Sequence, residues 1–326
     1  MQLIRGLVNL NHQVDACVAT IGNFDGVHVG HQAIIRRVIE KAKHLKLESC
    51  VILFEPHPKE IFLGDNCPAR ITNFSEKYAQ LKLFGIDKLL VLKFNQSLRE
   101  MQATDFIQKI LIAQLRIKHL VVGDDFQFGY KRQGNYELLR TQGEGYYTVE
   151  PTPSIFVDDS AIMGEKIRAS SSLVRKVLTQ GNLDYAKVLL GRCYSITGKV
   201  GYGQQLGRKL GFPTANVVLN RRKPALSGVY LVKVSWMSAQ AETRNIQCWG
   251  VANCGSRPTV DGKGYRLEVH LLGMSQNLYG IELKVEFHTC IRSEKKFKNV
   301  EALTEQIKLD IEQTEELIKK LATEKK

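Results

Sequence analysis

The sequence of 326 residues predicts an α/β domain with a Rossmann-like parallel sheet, followed by a small antiparallel β-barrel and a terminal helix. Three observations carry this prediction. Strand-like and helix-like segments alternate over roughly the first 180 residues, which favours a parallel sheet with helices on both faces. From Tyr194 onward, short β-rich runs are separated by turns that contain Gly, Asn or Pro, as in a small barrel. An apolar stripe with helical spacing follows Asn299.

The elements of the first half follow from apolar runs and helical spacing. The predicted strands are Cys17–Gly22, Ser49–Phe54, Lys88–Leu92, His119–Gly123 and Tyr146–Glu150. The predicted helices are Val29–Leu45, Phe74–Phe84, Ala103–Leu115 and Asn135–Thr141, with two short helices in Ser170–Leu190. Ligands of parallel sheets bind at the carboxyl ends of the strands. The loops that follow these strands are therefore the candidate site.

The second half has a different texture. The predicted strands are Tyr194–Val200, Gly228–Trp236, Arg244–Ala252, Tyr265–Leu272 and Ile281–His288. Asn299 is a plausible N-cap of the last helix, and Glu301 suits its first turn. We expect its apolar stripe to pack against the barrel rather than to bind a partner; the stripe comprises Val300, Leu303, Ile307, Ile311, Ile318 and Leu321. The predicted domains are residues 1–186 and 187–326.

Composition bounds the class of protein. The net charge is +13, of which residues 1–190 carry +4 and the rest +9. Nucleic acid, polyanionic small substrates and a solubilising surface are all compatible with this charge. The seven cysteines are odd in number and include no CxxC, which favours reduced thiols in a cytoplasmic protein. We expect neither a signal peptide nor a membrane span.

The loop between the first predicted strand and helix carries the sharpest signal. Gly22, Gly26 and Gly30 let a ligand approach the backbone, and the following helix presents its N-terminal N–H groups. His28 and His31 lie three residues apart and therefore near one another at the helix start. Two imidazoles beside a helix N-terminus suit a polyphosphate better than a metal. The alternative is a pair of histidines that only caps the helix.

At this point the chain resembles the bacterial FAD synthetases. The matching motifs, in order, are Gly22–His31, Phe54–Pro58, Arg70–Thr72 with Glu76 and Lys77, Gly123–Gly129, and Ser170–Arg175. Ser172 stands where the family usually has threonine, which keeps the hydroxyl. The resemblance implies that His28, His31, Ser171 and Arg175 hold the ATP phosphates. It also implies that the nucleotide and FMN site is lined by Gly22, Asn23, Phe24, Asp25, Gly30, Asp125 and Phe126.

Elementary chemistry supports these roles. Adenylyl transfer needs in-line attack of the FMN phosphate on the α-phosphorus of ATP, so catalysis rests on positioning and charge stabilisation. Imidazoles, a guanidinium and helix N–H groups supply both. Purely structural interpretations of these residues remain open. Arg175 could be an arginine on a helix surface, Asp124 and Asp125 could be turn residues, and Phe126 and Phe128 could belong to the core.

A second glycine-dense segment begins at Gly198. It holds five glycines in nineteen residues, and such loops between strands can wrap phosphates with backbone N–H groups. Thr214 and Asn216 alternate on a possible strand and so share one side. Their oxygens are hard donors that suit Mg²⁺ with nucleotide phosphates. A cluster of glycine-rich β-turns is the alternative.

This half resembles the riboflavin kinases. The matching motifs are Leu210–Asn216, Gly228–Tyr230, Gly250–Thr259, Glu268–His270, Leu278–Gly280 and Ile291–Glu294. The likeness implies that Thr214 and Asn216 bind Mg²⁺ and ATP, and that Glu268 is the general base. It further implies cofactor contacts from Gly198, Gly201, Gly207 and Arg208. Glu268 could instead be a solvent-facing strand residue.

Two departures from the riboflavin kinase pattern stand out. Gly273–Asn277 replaces the acidic loop that the family often carries, which puts ligand contacts there in doubt. Cys254 replaces an aliphatic residue, and we expect it to be buried.

Together the resemblances imply a bifunctional enzyme that phosphorylates riboflavin to FMN and adenylylates FMN to FAD, using ATP and Mg²⁺. Small molecules are the expected partners, with neither nucleic acid nor membrane, in a monomer or weak homo-oligomer. From the residues alone, two other readings stay open. The first half could serve another nucleotidyl acceptor, and the second could be a nucleic-acid module.

Overall fold

The computed structural model of the protein describes residues 1–10, 16–158, 165–203, 207, 210–238, 241–259, 262–274 and 276–323. The chain forms two compact units. The first unit comprises Met1–Pro68 and Lys77–Ser170, and the second unit comprises Ala69–Glu76 and Ser171–Lys326. The functional boundary between residues 186 and 187 stays a prediction.

The first unit contains a six-stranded parallel sheet in the order β1-β4-β3-β2-β5-β6. Its strands are β1 (Gln2–Arg5), β2 (Cys17–Ile21), β3 (Glu48–Glu55), β4 (Lys88–Lys93), β5 (His119–Gly123) and β6 (Thr148–Thr152). The chain builds the sheet outward from β2 through β3 to β4, then crosses to the other side of β2 to add β5. Such a switch point opens a crevice at the carboxyl ends of the strands. The predicted parallel sheet is confirmed, and the loop after β2 lies at its switch point.

Helices connect these strands. They are α1 (Val29–Leu45), α2 (Pro58–Leu63), α3 (Phe74–Phe84), α4 (Gln96–Glu100), α5 (Ala103–Asp105) and α6 (Tyr136–Gln142), with short 3₁₀ turns at Leu7–Asn9, Gly64–Asn66 and Tyr130–Arg132. A two-stranded hairpin of β7 (Phe156–Asp158) and β8 (Lys166–Arg168) follows β6. The predicted bounds of α1 and α3 are confirmed. The sequence did not predict β1, α2, α4 or the hairpin, because each is too short to show a period.

One predicted helix takes another form. Ala103–Leu115 is predicted as a single α-helix, but a π-helix occupies Phe106–Gln114. The backbone N–H of Leu115 accordingly donates to the carbonyl of Ile110, five residues earlier. The wider turn places Phe106, Ile110 and Leu115, all buried, against the sheet. The buried residues Phe106, Ile107, Ile110 and Leu111 also fit α-helical spacing, so the sequence period does not reveal the wider turn.

The longer segment of the second unit begins with two short helices, α7 (Ser171–Thr179) and α8 (Leu183–Leu190), as predicted. A closed antiparallel barrel follows, in the order β10-β13-β12-β11-β14-β9. Its strands are β9 (Ser195–Gly201), β10 (Ala215–Val217), β11 (Gly228–Ser238), β12 (Ala241–Thr259), β13 (Gly262–Leu271) and β14 (Glu282–Arg292). The predicted barrel is confirmed. Strand β12 runs seven residues beyond its predicted end at Ala252, because pairing with β13 overrides the local turn signals of its Gly and Pro.

The chain ends in α9 (Val300–Thr323). The predicted N-cap is confirmed: Asn299 Oδ1 accepts from the backbone N–H of Ala302 at 3.0 Å. The helix is anchored to β14 by the ion pair of Arg292 with Asp310, at 2.7 Å. Five residues of the apolar stripe are half-buried, and Leu303, Ile307 and Ile311 line a cavity beside the barrel, so packing against the barrel is only partial; Val300 is exposed, against the prediction.

A buried ion pair holds the second unit together near its start. The guanidinium of Arg221 donates to both carboxylate oxygens of Glu76, at 2.5 and 2.6 Å, and also to the carbonyl of Ile71. The backbone N–H of Thr197 donates to the same carboxylate at 2.8 Å. The side chain of Arg221 is fully buried, so these interactions are shielded from water. Residues 71–76 are thereby fixed to the barrel.

Replacing Arg221 with leucine is expected to destabilise the folded protein by about 3–5 kcal/mol, because the buried carboxylate of Glu76 loses its counter-ion. The measurement is thermal and denaturant unfolding. Arg140→Leu is the matched control, since Arg140 pairs with Glu137 on the surface, where a pair contributes about 0–1 kcal/mol. Equal, small shifts for the two variants would contradict the prediction.

Candidate functional sites

The loop between β2 and α1 has an unusual backbone. Phe24, Gly26 and Val27 all have positive φ angles, of 47°, 87° and 44°. A non-glycine residue in this region costs on the order of 1–3 kcal/mol, and such strain concentrates at functional sites. The loop passes directly from the central strand to the first helix, so its tight course presents the N-terminus of α1 at the sheet edge. We call the residues Gly22–His31 the imidazole loop.

The two histidines of the imidazole loop lie together, as the sequence predicts. Their rings stack with centroids 3.7 Å apart, and the Phe24 ring lies 5.0 Å from His31. His28 is the N-cap of α1: its Nδ1 accepts from the backbone N–H of His31 at 3.4 Å. The capping alternative therefore holds for His28, which is buried. The remaining N–H groups of the first turn and the imidazole of His31 form a positive corner suited to an anion.

Two glycines of this loop are closely packed against its aromatic rings. A Cβ atom at Gly22 would lie 3.0 Å from the Phe24 ring, and one at Gly30 would lie 3.1 Å from the His28 ring. Asp25 is buried, at 3% exposure. The Oδ1 atom of Asn23 is buried and has no hydrogen-bond partner among the described residues. A polar atom in that state is costly unless a ligand or water completes it.

The loop after β5 carries Asp124 and Asp125. Arg168 on β8 pairs with both, at 3.3 and 2.9 Å, and Ser154 Oγ donates to Asp124 at 2.8 Å. The hydrogen bond to Asp125 raises the pKa of the Arg168 guanidinium, against an opposing effect of desolvation. Sequence reasoning missed Arg168, because nothing in its local pattern distinguishes it. These contacts make the loop more than a plain turn.

The two phenylalanines of the same loop differ in how deeply they are buried. Phe128 is buried in the core of the first unit, and its ring lies 5.6 Å from Phe106. Phe126 is only partly buried and stacks on Phe128, with centroids 5.5 Å apart. The core alternative thus holds for Phe128. Phe126 forms the outer layer of the stack, where one ring face can meet a ligand.

Ser171 and Arg175 belong to the second unit, at the start and middle of α7. The Nε atom of Arg175 donates to the carbonyl of Ala69 at 2.6 Å. One edge of this guanidinium therefore fixes the backbone at Ala69, so Arg175 is not a free surface arginine. The predicted phosphate contacts of both residues remain predictions.

A cavity of about 730 Å³ opens in the second unit, bounded by the barrel, by Met274, by residues 276–279 and by α9. We call it the barrel cavity. Five residues predicted from sequence line it: Gly201, Gly207, Thr214, Asn216 and Glu268. Gly198 does not line it; a Cβ atom there would collide with the carbonyl of Val218, so this glycine permits strand packing. Arg208 lies outside the described residues.

Strand register explains why the polar residues meet in the barrel cavity. Asn216 on β10 lies opposite Glu268 on β13, and Glu268 lies opposite Asn253 on β12. Along β13, Leu267 and Val269 are fully buried, so Glu268 and His270 point to the other side of the strand. Glu268 lines the cavity but stays about a third exposed, so its role as a site residue rather than a solvent-facing one remains a prediction. The sequence placed Asn253 inside a matching motif but assigned it no role, because its position beside Glu268 depends on long-range pairing.

Other contacts shape the rim of the barrel cavity. The Nδ2 atom of Asn216 donates to the carbonyl of Tyr202 at 3.4 Å, which leaves its Oδ1 as the available ligand atom. The Tyr202 ring stacks on Tyr279, with centroids 4.4 Å apart. Residues of the atypical segment Gly273–Asn277, including Met274 and Gln276, line the cavity. Cys254 is buried as predicted, and burial raises the pKa of its thiol to about 12.

The donor set of the barrel cavity fits a hard cation. Thr214 offers a hydroxyl, Asn216 an amide oxygen and Glu268 a carboxylate. Mg²⁺ prefers such oxygens and keeps positions for water and phosphate. Within the described part of the chain, no group of three His, Cys, Asp or Glu side chains could hold a metal by itself. A magnesium ion here would therefore bind together with nucleotide phosphates.

Comparisons with known proteins cover both halves. The family model described as FAD synthetase matches residues 10–166, and the one described as riboflavin kinase matches residues 190–318. Bifunctional riboflavin kinase/FMN adenylyltransferases from Pseudomonas fluorescens and Haemophilus influenzae are 45% and 43% identical, over 95% and 96% of this chain and 96% and 97% of theirs.

One solved structure also matches nearly the full length. It is described as a macrolide-efflux protein from Streptococcus pneumoniae, and it aligns with a TM-score of 0.77 at 30% identity, covering 96% of this chain and 98% of its own.

Among the described residues, no helix combines the length and apolar character that a membrane crossing needs.

Proposed function

The chain belongs to the family of bifunctional riboflavin kinases/FMN adenylyltransferases, and we propose how its residues divide the two reactions between them. The family resemblance drawn from the sequence is confirmed. The enzyme phosphorylates riboflavin to FMN and adenylylates FMN to FAD, with ATP as co-substrate in both steps. The FAD synthetase match lies in the first half and the riboflavin kinase match in the second.

The kinase reaction is assigned to the barrel cavity. The observation that carries this assignment is the register that sets Asn216 directly opposite Glu268 on neighbouring strands of that cavity. The Glu268 carboxylate takes the proton as the 5′-hydroxyl oxygen of riboflavin bonds to the γ-phosphorus of ATP and the bond to ADP breaks. Thr214 and Asn216 hold Mg²⁺, which neutralises charge on the phosphates when bound. Gly201 and Gly207 let the backbone approach the nucleotide. A further nucleotide contact is proposed for Arg208, whereas Gly198 is assigned to strand packing.

The adenylyl transfer is assigned to the imidazole loop. The imidazoles of His28 and His31 and the N–H groups of α1 stabilise charge on the ATP phosphates as pyrophosphate leaves. Asn23 and Asp25 contact the nucleotide, and the buried Oδ1 of Asn23 supports this because it lacks a protein partner among the described residues. Further contacts are proposed for Asp125, Phe126, Ser171 and Arg175.

The proposal also covers the localisation, the partners and the oligomeric state of the protein. The free state of all seven cysteines supports residence in the reducing cytoplasm. The excess positive charge is assigned to polyanionic small substrates, without nucleic acid as a partner. We infer a monomer or a weak homo-oligomer.

The decisive experiment follows both products. The protein is incubated with riboflavin and ATP, and riboflavin, FMN and FAD are separated by chromatography with fluorescence detection. FMN and then FAD should accumulate with Mg²⁺, and FMN formation should fall to background with EDTA and return when Mg²⁺ is added in excess. FMN formation that persists in EDTA would rule out the metal role of Thr214 and Asn216.

A further inference from the structure

Glu268 has a neighbour that the proposed mechanism does not use. Arg266 lies two residues earlier on β13, on the same face of the strand, and also lines the barrel cavity. Its Nη1 atom lies 3.5 Å from Glu268 Oε1. The pair stands in the cavity wall beside Asn253 and Asn216, which flank Glu268 on the two neighbouring strands. A cation is therefore held next to the proposed general base.

We propose that Arg266 is a positioning residue of the kinase reaction, whose guanidinium holds the Glu268 carboxylate in the orientation that receives the hydroxyl proton. This inference rests on the proposed role of Glu268. A glutamate side chain has three rotatable bonds, and in an open cavity of about 730 Å³ its carboxylate can sample several rotamers. Small errors in the placement of a reacting group cost up to about 10²-fold in rate. An ion partner on the same strand face removes that freedom.

The energetics argue against a structural reason for the pair. About a third of each side chain is exposed, at 34% and 32%, and an ion pair in that setting contributes only about 0–1 kcal/mol to stability. The Nε atom of Arg266 is in addition buried without a hydrogen-bond partner among the described residues. A buried donor left unpaired is costly to the fold. The placement of this guanidinium is therefore better explained by the reaction than by stability.

The test compares Arg266→Gln and Arg266→Lys with the parent enzyme in the riboflavin kinase assay. We expect kcat to fall about tenfold in Arg266→Gln, with KM for riboflavin and for ATP changed less than about twofold, because the group acts on the reacting carboxylate rather than on binding. Lysine should restore part of kcat, since it keeps the charge. Adenylylation of supplied FMN should be unchanged.

Lys284→Gln is the matched control. Lys284 pairs with Glu286 at 2.8 Å with the same two-residue spacing on β14, and neither residue lines the cavity. This variant should keep full kinase activity. Thermal midpoints of the Arg266 and Lys284 variants should agree with that of the parent, so that a loss of kcat cannot be attributed to unfolding.

A double-mutant cycle separates this inference from the assignment of Glu268 itself. In a Glu268→Asp background, which keeps a carboxylate but draws it back by one methylene, Arg266→Gln should cost less than about threefold. A full tenfold loss there, a raised KM for ATP with unchanged kcat, or full activity of Arg266→Gln would each overturn the positioning role. Unchanged activity of Glu268→Asp together with Glu268→Gln would instead refute the proposed general base.

Discussion

Replacing Glu268 with glutamine is expected to lower FMN formation by about 10²–10⁴-fold, the usual contribution of a general base. The amide keeps the shape and the hydrogen-bonding reach of the side chain but cannot take the proton of the attacking hydroxyl. The barrel cavity should stay folded, because Glu268 lies on its open face while Leu267 and Val269 make the core contacts of β13. The measurement is FMN production from riboflavin and ATP, with saturating Mg²⁺.

The second activity provides the internal control for Glu268→Gln. FAD formation from supplied FMN and ATP should keep its parental rate, since the imidazole loop belongs to the other unit. Glu286→Gln on β14 is a matched variant outside the cavity and should leave both activities intact. Substantial FMN formation by Glu268→Gln would show that proton removal does not depend on this carboxylate.

Much of the barrel cavity could be predicted, because its main residues follow a local pattern. Alternation along β13 is enough to place Glu268 on the strand face away from Leu267 and Val269, which are buried. The two residues that sequence reasoning missed there, Asn253 and Arg266, enter through strand pairing and side-chain packing. Asn253 lies on another strand and is not visible in the alternation of β13, whereas Arg266 shares the face of Glu268 but its residue type alone assigns it no role. The Gly and Pro of β12 also favoured an early strand end, which the pairing with β13 overrides.

In the first unit, the features that the sequence did not predict concern the backbone of a loop. The strand-loop-helix order and the histidine spacing predicted the imidazole loop, including the exact start of α1 at Val29. The positive φ angles of Phe24 and Val27 were not predictable, since neither residue type favours them. The sequence analysis interpreted the glycines as positions where a ligand approaches the backbone. In the structure, Gly30 also makes room for the His28 ring, and Gly198 in the barrel makes room for the carbonyl of Val218. Composition cannot separate these two uses.

His31→Ala is expected to lower FAD formation from FMN and ATP by about 10²–10³-fold, as for the loss of one preorganised charge-stabilising group. His31 is a sharper target than His28. The N-cap bond of α1 joins His28 Nδ1 to the backbone N–H of His31, so removing the His31 side chain leaves the cap in place. His28→Ala, by contrast, would also cost about 1 kcal/mol of helix stability through the lost cap. The measurement is FAD formation at saturating FMN and ATP.

The control for this variant lies on the same helix. His44 is exposed in the last turn of α1, far along the helix from the imidazole loop, and His44→Ala should retain full activity. FMN formation should be unaffected in both variants. Parental FAD formation by His31→Ala would exclude the imidazole as a phosphate contact, leaving the helix N–H groups to stabilise the charge. A folded His31→Ala protein that loses both activities would contradict the assignment of the two reactions to separate sites. Riboflavin phosphorylation would then depend on the His31 imidazole, although this reaction is assigned to the barrel cavity.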